Sequence, residues 1–167
     1  MTRFALIFVL TAGVHLSHVM AEEVTQPTTP IEFTVHPIGH VQKVGERTVI
    51  VIDKKYQEGL LGLEHWSHVQ VIWWFDKNDT PEKRAILQVH PRGDATNPLT
   101  GVFATRSPFR PNLIALSLCK VVSVKDNVIE VEKIDAFEGT PVLDIKPYAP
   151  GQDSASEVRV PDWAKPK

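Results

Sequence analysis

Cysteine is almost absent from this chain. Its 167 residues hold one, Cys119, which excludes an internal disulfide and any metal site built from several thiolates. Positive charge is also short. The 18 Lys and Arg stand against 20 Asp and Glu, so no general field exists to gather nucleic acid, and any RNA contact must come from a local basic patch. No apolar run is long enough to span a membrane as a helix. No P-loop, Gly-x-Gly-x-x-Gly, nucleophile-elbow or His-Glu-x-x-His pattern occurs. What the chain does have is turn-formers. With 13 Pro and 9 Gly it leans towards a fold of many short strands rather than a helical bundle.

Residues 1–21 read as a secretory signal peptide, with Arg3 as the positive start, an apolar run from Phe4 to Leu16, and Val19 to Ala21 supplying small residues for cleavage after Ala21. This predicts an exported protein, periplasmic or secreted. If Met20 is the true start instead, the protein is cytoplasmic. Cleavage removes Arg3 and none of the acidic residues, so the mature chain is more acidic still. Residues 22–32 form a polar linker, 33–150 the folded domain, and 151–167 a polar, loose tail carrying Trp163.

Within the domain, Phe33 to Val41 and the β-branched run Arg47 to Ile52 read as strands joined by a tight turn at Lys43 to Glu46. Tyr56 to Glu64 offers a short helical turn, kept short by two glycines. Ser67 to Asp76 alternates. Val69, Val71, Trp73 and Phe75 form a core face, while His68, Gln70, Ile72, Trp74 and Asp76 form a mixed face that suits a pocket, a subunit contact or ordinary packing. Ala115 to Val124 follows, with Leu116, Leu118, Val122 and Val124 on one side. Asp126-Asn127 then turns the chain into the alternating run Val128 to Ile134. Asp135 to Tyr148 gives a turn and a short strand stopped by Pro147. Hairpins that close on themselves hide their edges, so the expected fold is mainly β: a small antiparallel β-barrel with short helical turns.

Gln88 to Asn112 breaks this pattern. Prolines at 91, 98, 108 and 111 stiffen an irregular segment that carries Arg92, Arg106 and Arg110. Such a loop is either solvated surface or a rigid mount for guanidinium groups that bind carboxylates, phosphates or base edges. Arg106 and Arg110 flank Ser107 to Phe109 and are expected to face one pocket or dimer seam, with Asn112 beside them as a further substrate or dimer contact.

The run Gly-Val-Phe-Ala-Thr-Arg-Ser-Pro-Phe-Arg-Pro-Asn, from Gly101 to Asn112, resembles the signature of the TsaA-like (TrmO) family. The resemblance extends from Pro37-Ile38-Gly39 to Pro150. It rests also on Ser67-His68 before an apolar strand, on His90 to Asp94, and on Gly139 to Tyr148. It implies a methyltransferase of threonylcarbamoyl-adenosine in tRNA, built on a small β-barrel, dependent on S-adenosyl-L-methionine and active as a homodimer. By the same resemblance the cofactor lies against Asp135, Ala136, Phe137 and Glu138 and near Arg92, whose guanidinium would clamp its carboxylate. Asp76 and Lys77 stand where the family has a His-Gln pair and are carried over as cofactor contacts. The chain departs from the pattern elsewhere. Lys43 to Glu46 is a short turn where many members carry a Pro-Arg-Gln-like segment, and Leu113 and Ala115 replace a proline and a glycine. The alternative is an exported binding module of the same fold that no longer methylates RNA.

Two other constellations are weaker. Of His36, His40, His65, His68 and His90, the pair His65 and His68 at i, i+3 could ligate zinc or copper with the others brought near by barrel closure. There is no His-Glu-x-x-His helix and no cysteine partner, so no metal centre is expected. Asp135, Glu138 and Asp144 lie close together near a turn, where carboxylates are ordinarily solvated rather than paired for glycoside hydrolysis. No residue identifies itself as a general base.

Overall fold

The computed structural model describes residues 32–165. The expected signal peptide and nearly all of the 22–32 linker lie outside the described residues.

The β-branched, alternating runs form strands in chain order: β1 (Gly39–Val44), β2 (Arg47–Ile52), β3 (His68–Trp74), β4 (Gln88–Val89), β5 (Thr100–Gly101), β6 (Ile114–Lys125), β7 (Val128–Val131) and β8 (Pro141–Pro147). Six of them close into an antiparallel barrel in the order β1-β2-β7-β6-β3-β8, with β8 returning to β1. Closure leaves no free edge, as the expected barrel requires. β4 and β5 pair outside it as a two-stranded ribbon, β4 at the start of the proline-rich segment and β5 near its middle. Short helices α1 (Pro81–Arg84) and α2 (Pro150–Asp153) and several 3-10 turns complete the described part.

Two two-residue turns set the register. Gly45 opens the β1–β2 turn at a left-handed φ of 60°, and Asp126 opens the β6–β7 turn at φ 55°. The interior is filled by Val41, Ile50, Ile52, Val69, Val71 and Ile129, all buried. Each sits on the inward side of an alternating strand, so burial follows directly from the period of two.

Three details differ from the sequence reading. The first strand begins at Gly39 rather than at residue 33, because Pro37 has no N–H to donate and Gly39 marks where β1 meets β2. A Cβ at Gly39 would stand 2.2 Å from the carbonyl oxygen of Val51, so only glycine permits this approach. On β6 the side bearing Leu116 and Leu118 faces outward, while Ala115 and Cys119 point in. A register shift between Val121 and Ser123 then reverses the alternation, bringing Val124 against the core and leaving Val122 exposed. The tail is not loose throughout. Val160 to Ala164 lie against the proline-rich loop, and Arg92 Nη2 donates to the Lys165 carbonyl at 3.4 Å.

Candidate functional site

The site grows from the turn that precedes β8. Gly139 takes φ 77°, a conformation open to glycine, and its N–H donates to Val41 O at 2.8 Å while Val41 N donates to Thr140 O at 2.9 Å. The turn is thereby fastened to β1. Thr140 is fully buried, and its hydroxyl accepts from Phe137 N at 3.2 Å and donates to Asp76 Oδ1 at 3.3 Å. One hydroxyl thus fixes the Asp135 to Glu138 loop and Asp76, two residues past β3. Asp76 Oδ2 meets Lys77 Nζ at 3.0 Å.

The floor comes from β3 and β6. Trp73 Nε1 donates to Ser117 Oγ at 3.0 Å, and the Trp73 and Phe75 rings meet edge-to-face with centroids 4.7 Å apart. Phe75 N donates to Leu113 O at 2.8 Å, which ties the end of β3 to the start of β6. The proline-rich loop supplies the remaining wall. Arg110 Nη1 donates to Ser107 O at 3.1 Å and Thr105 O at 3.4 Å, and Arg106 Nη1 donates to Leu116 O at 3.1 Å. Arg110 therefore holds the loop in shape, and Arg106 docks it on β6.

These parts enclose a cleft of ≈ 570 Å³ at the end of the barrel. The volume falls within the roughly 300–1,000 Å³ usual for small-molecule sites. Asp76, Lys77, Arg106, Arg110, Asp135 and Phe137 all line it. Residues from β3, the proline-rich loop and the turn before β8 thus meet at one place. Arg92 does not join them. It lines a separate cleft with Phe103 and Trp163. Glu138 turns away to accept from Lys43 N on β1, Ala136 packs against the core, and Asn112 is exposed outside the cleft. Neither Thr140 nor Ser117 was singled out from the sequence, although Thr140 lies in the Gly139 to Tyr148 block of the resemblance. For Ser117 the one available signal was a small hydroxyl between Leu116 and Leu118 in an otherwise apolar strand.

Behind the cleft a second group braces the loop. Arg84 Nε bonds Asp79 Oδ1 at 2.8 Å, its Nη1 donates to Pro111 O at 2.9 Å, and its guanidinium lies 5.3 Å from the Trp74 ring centroid. Trp74 Nε1 donates to Asp79 Oδ2 at 3.0 Å. Arg84 and Trp74 together hold the Asp79 carboxyl below its ordinary value. Thr80 caps α1 by accepting from Lys83 N at 3.3 Å, with Pro81 as first helical residue, which places Arg84 beneath the loop. Among the described residues, no three His, Cys, Asp or Glu side chains gather as metal ligands.

The family description "tRNA-methyltransferase O N-terminal domain" matches residues 31–154. The chain belongs to the TrmO family. A relative from Methanocaldococcus jannaschii, named "Probable S-adenosyl-L-methionine-binding protein", is 48% identical over 117 residues, covering 70% of this chain and 93% of its own. The human tRNA (adenine(37)-N6)-methyltransferase is 45% identical over 105 residues, 63% of this chain. This chain spans only 23% of the human enzyme's length. The crystal structure of TrmO from Pseudomonas aeruginosa superposes with a TM-score of 0.66 at 27% identity, covering 84% of this chain and 65% of that one. The TrmO match ends at residue 154, before the Val160 to Ala164 segment that reaches the second cleft.

Proposed function

We propose that this chain is an S-adenosyl-L-methionine-dependent methyltransferase that methylates threonylcarbamoyl-adenosine in tRNA. The observation that carries the reading is the convergence of Asp76, Lys77, Arg106, Arg110, Asp135 and Phe137 on one cleft. Its lining is of mixed sign. Carboxylates at Asp76 and Asp135 and cations at Lys77, Arg106 and Arg110 suit a zwitterionic amino-acid end. Phe137, 67% exposed, offers a ring face to a purine. The Trp73 and Phe75 rings at the floor suit a sulfonium, which aromatic faces attract. S-adenosyl-L-methionine supplies an electrophilic methyl group on sulfur. The chain's contribution is placement in line with the acceptor and exclusion of water, which account for most of the rate when the electrophile is already activated. Relatives named as S-adenosyl-L-methionine-binding proteins and tRNA methyltransferases support the same assignment.

The reading includes a homodimer. Ile114, Leu116 and Leu118 are exposed along the outside of β6, and Ile72 of β3 pairs with Leu116 on the same face. Ile114 and Leu116 also line the cleft, so a second copy seated on this strip would complete its wall.

Calorimetry tests the cofactor assignment. S-adenosylhomocysteine is expected to bind with a dissociation constant near 1 μM, about −8 kcal/mol, and Arg106→Ala to weaken it about tenfold. Incubation with tRNA carrying threonylcarbamoyl-adenosine is expected to add one methyl group to that nucleoside by mass spectrometry. No heat at millimolar ligand would refute the cofactor, and binding without a methylated product would refute the substrate.

A further inference from the structure

The second cleft, ≈ 810 Å³, is chemically unlike the first. Its charged lining is entirely basic: Arg92 and Arg106, with His90 beside them and no Asp or Glu. His90 Nδ1 lies 2.7 Å from Asn97 O, so that nitrogen carries the proton and Nε2 is left for another partner. Its walls are aromatic. Phe103, 79% exposed, and Phe109 come from the proline-rich loop, and Trp163 comes from the tail. The acidic neighbours are already engaged, Asp162 by Lys165 and Asp94 by Thr96.

Arg92 stands at φ 61°, ψ 13°, in the left-handed region that a non-glycine residue occupies at a cost of about 1 kcal/mol or more. Gly93 follows at φ 68°. Among the described residues none of the ion pairs includes Arg92 or Arg106. A guanidinium that makes no ion pair, only one 3.4 Å hydrogen bond to a carbonyl, and that shares a cleft with aromatic side chains suits a flat anion. The two clefts share Thr105, Arg106 and Pro108, so their occupants would lie side by side.

We propose that the second cleft binds a purine nucleotide, its base against Phe103 and Trp163 and its phosphate on Arg92, as the acceptor-side site of the protein. The nucleotide assignment rests on the methyltransferase reading; the site itself rests on the cleft. Trp163 lies beyond residue 154, where the match to the family's N-terminal domain ends.

The test uses the full chain and two probes, adenosine 5′-monophosphate and an unmodified tRNA anticodon stem–loop, each titrated alone and with saturating S-adenosylhomocysteine. Binding is expected to survive saturation. Trp163→Ala and Phe103→Ala are each expected to weaken it at least about fivefold, the loss of one base stack, without changing S-adenosylhomocysteine affinity. Arg92→Ala is expected to weaken it about tenfold or more, and Arg92→Lys to recover part of that loss. A Trp163-dependent response from the stem–loop identifies the nucleotide as an RNA residue, and one from the monophosphate alone identifies it as free. Displacement by S-adenosylhomocysteine would place the nucleotide in the first cleft and overturn the proposal while leaving the cofactor assignment intact. Unchanged affinity in Trp163→Ala, or no binding of either probe, overturns it as well. Failure of S-adenosylhomocysteine to bind, with Trp163-dependent nucleotide binding retained, would remove the methyltransferase reading and keep the site.

Discussion

Thr140 and Asp76, 64 residues apart in the chain, are joined by a 3.3 Å hydrogen bond from a fully buried hydroxyl. The same hydroxyl accepts from Phe137 N at 3.2 Å, so the two acidic-aromatic segments of the first cleft are positioned by one oxygen. Neither segment belongs to the barrel's ladder; β1 holds the first through Glu138 and Gly139, Leu113 O holds the second through Phe75 N, and the Thr140 oxygen joins the two.

Replacing this group should therefore separate site geometry from fold. Thr140→Val preserves volume but removes the partner of the part-buried Phe137 N–H, at a cost of about 1 kcal/mol. The expected result in urea is a lower midpoint with an unchanged slope, together with S-adenosylhomocysteine binding weakened about tenfold. Thr140→Ser keeps the hydroxyl and should lose stability through the missing methyl while retaining affinity. Equal binding by the valine and wild-type proteins would show that the hydroxyl does not order the cleft.

The brace behind the loop predicts a pH dependence. Arg84 first, then Trp74, holds Asp79 below its ordinary value of 3.8. A carboxyl lowered by folding contributes stability that is present above its unfolded value and lost as pH falls through the folded one. Asp79→Asn is therefore expected to be less stable than wild type at neutral pH, with the gap narrowing once pH falls below 3.8. Thermal melts of both proteins between pH 3 and 7 check this. A gap that stays constant over the range would assign the loss to packing instead.

The barrel was legible because its strands are written in alternation. Val69, Val71 and Trp73 could be placed in the core from their spacing alone, and all are buried. The turns at Gly45 and Asp126 were legible from residue chemistry. The outward face of Leu116 and Leu118 was not, because an exposed apolar strip has the same period as a buried one. Only the pairing of β6 with β3 shows which side the interior occupies. The first cleft was partly legible through the family signature. Asp135 and Phe137 face it, whereas Glu138 is taken up by Lys43 N, a contact created by barrel closure between residues 95 apart. Arg92 was grouped with the cofactor residues by resemblance to the family's Pro-Arg block. Its left-handed backbone turns it towards the tail instead.

The outer strip gives a test of assembly. Leu118 is 55% exposed on β6 and faces Gln70 across the ladder, so Leu118→Glu should leave the barrel's stability nearly unchanged. It would bury an unpaired charge in any dimer formed on this face. Sedimentation equilibrium is expected to give a dimer for wild type and a monomer for the variant, with the barrel's circular dichroism preserved in both. A dimer that persists in Leu118→Glu would place the interface elsewhere.

The ionic-strength dependence of tRNA binding follows from which cations are free. Lys83 and Arg84 sit in the basic stretch after β3, yet Lys83 Nζ donates to Lys77 O at 2.8 Å and Arg84 is divided between Asp79 and Pro111. Among the described residues, the cleft cations without an ion pair are Arg92, Arg106 and Arg110, each donating only to backbone carbonyls. At about 0.7–0.9 per contact this gives a log–log salt slope of about −2 to −3 for each protomer, doubled if both halves of a dimer engage one RNA. Arg92→Ala is expected to reduce the slope by about one unit, whereas Lys83→Ala should leave it unchanged. Filter binding across a series of potassium chloride concentrations measures both. A slope that falls equally in the two variants would mean that Lys83 leaves Lys77 to meet the RNA, and the basic surface would then extend from the clefts onto α1.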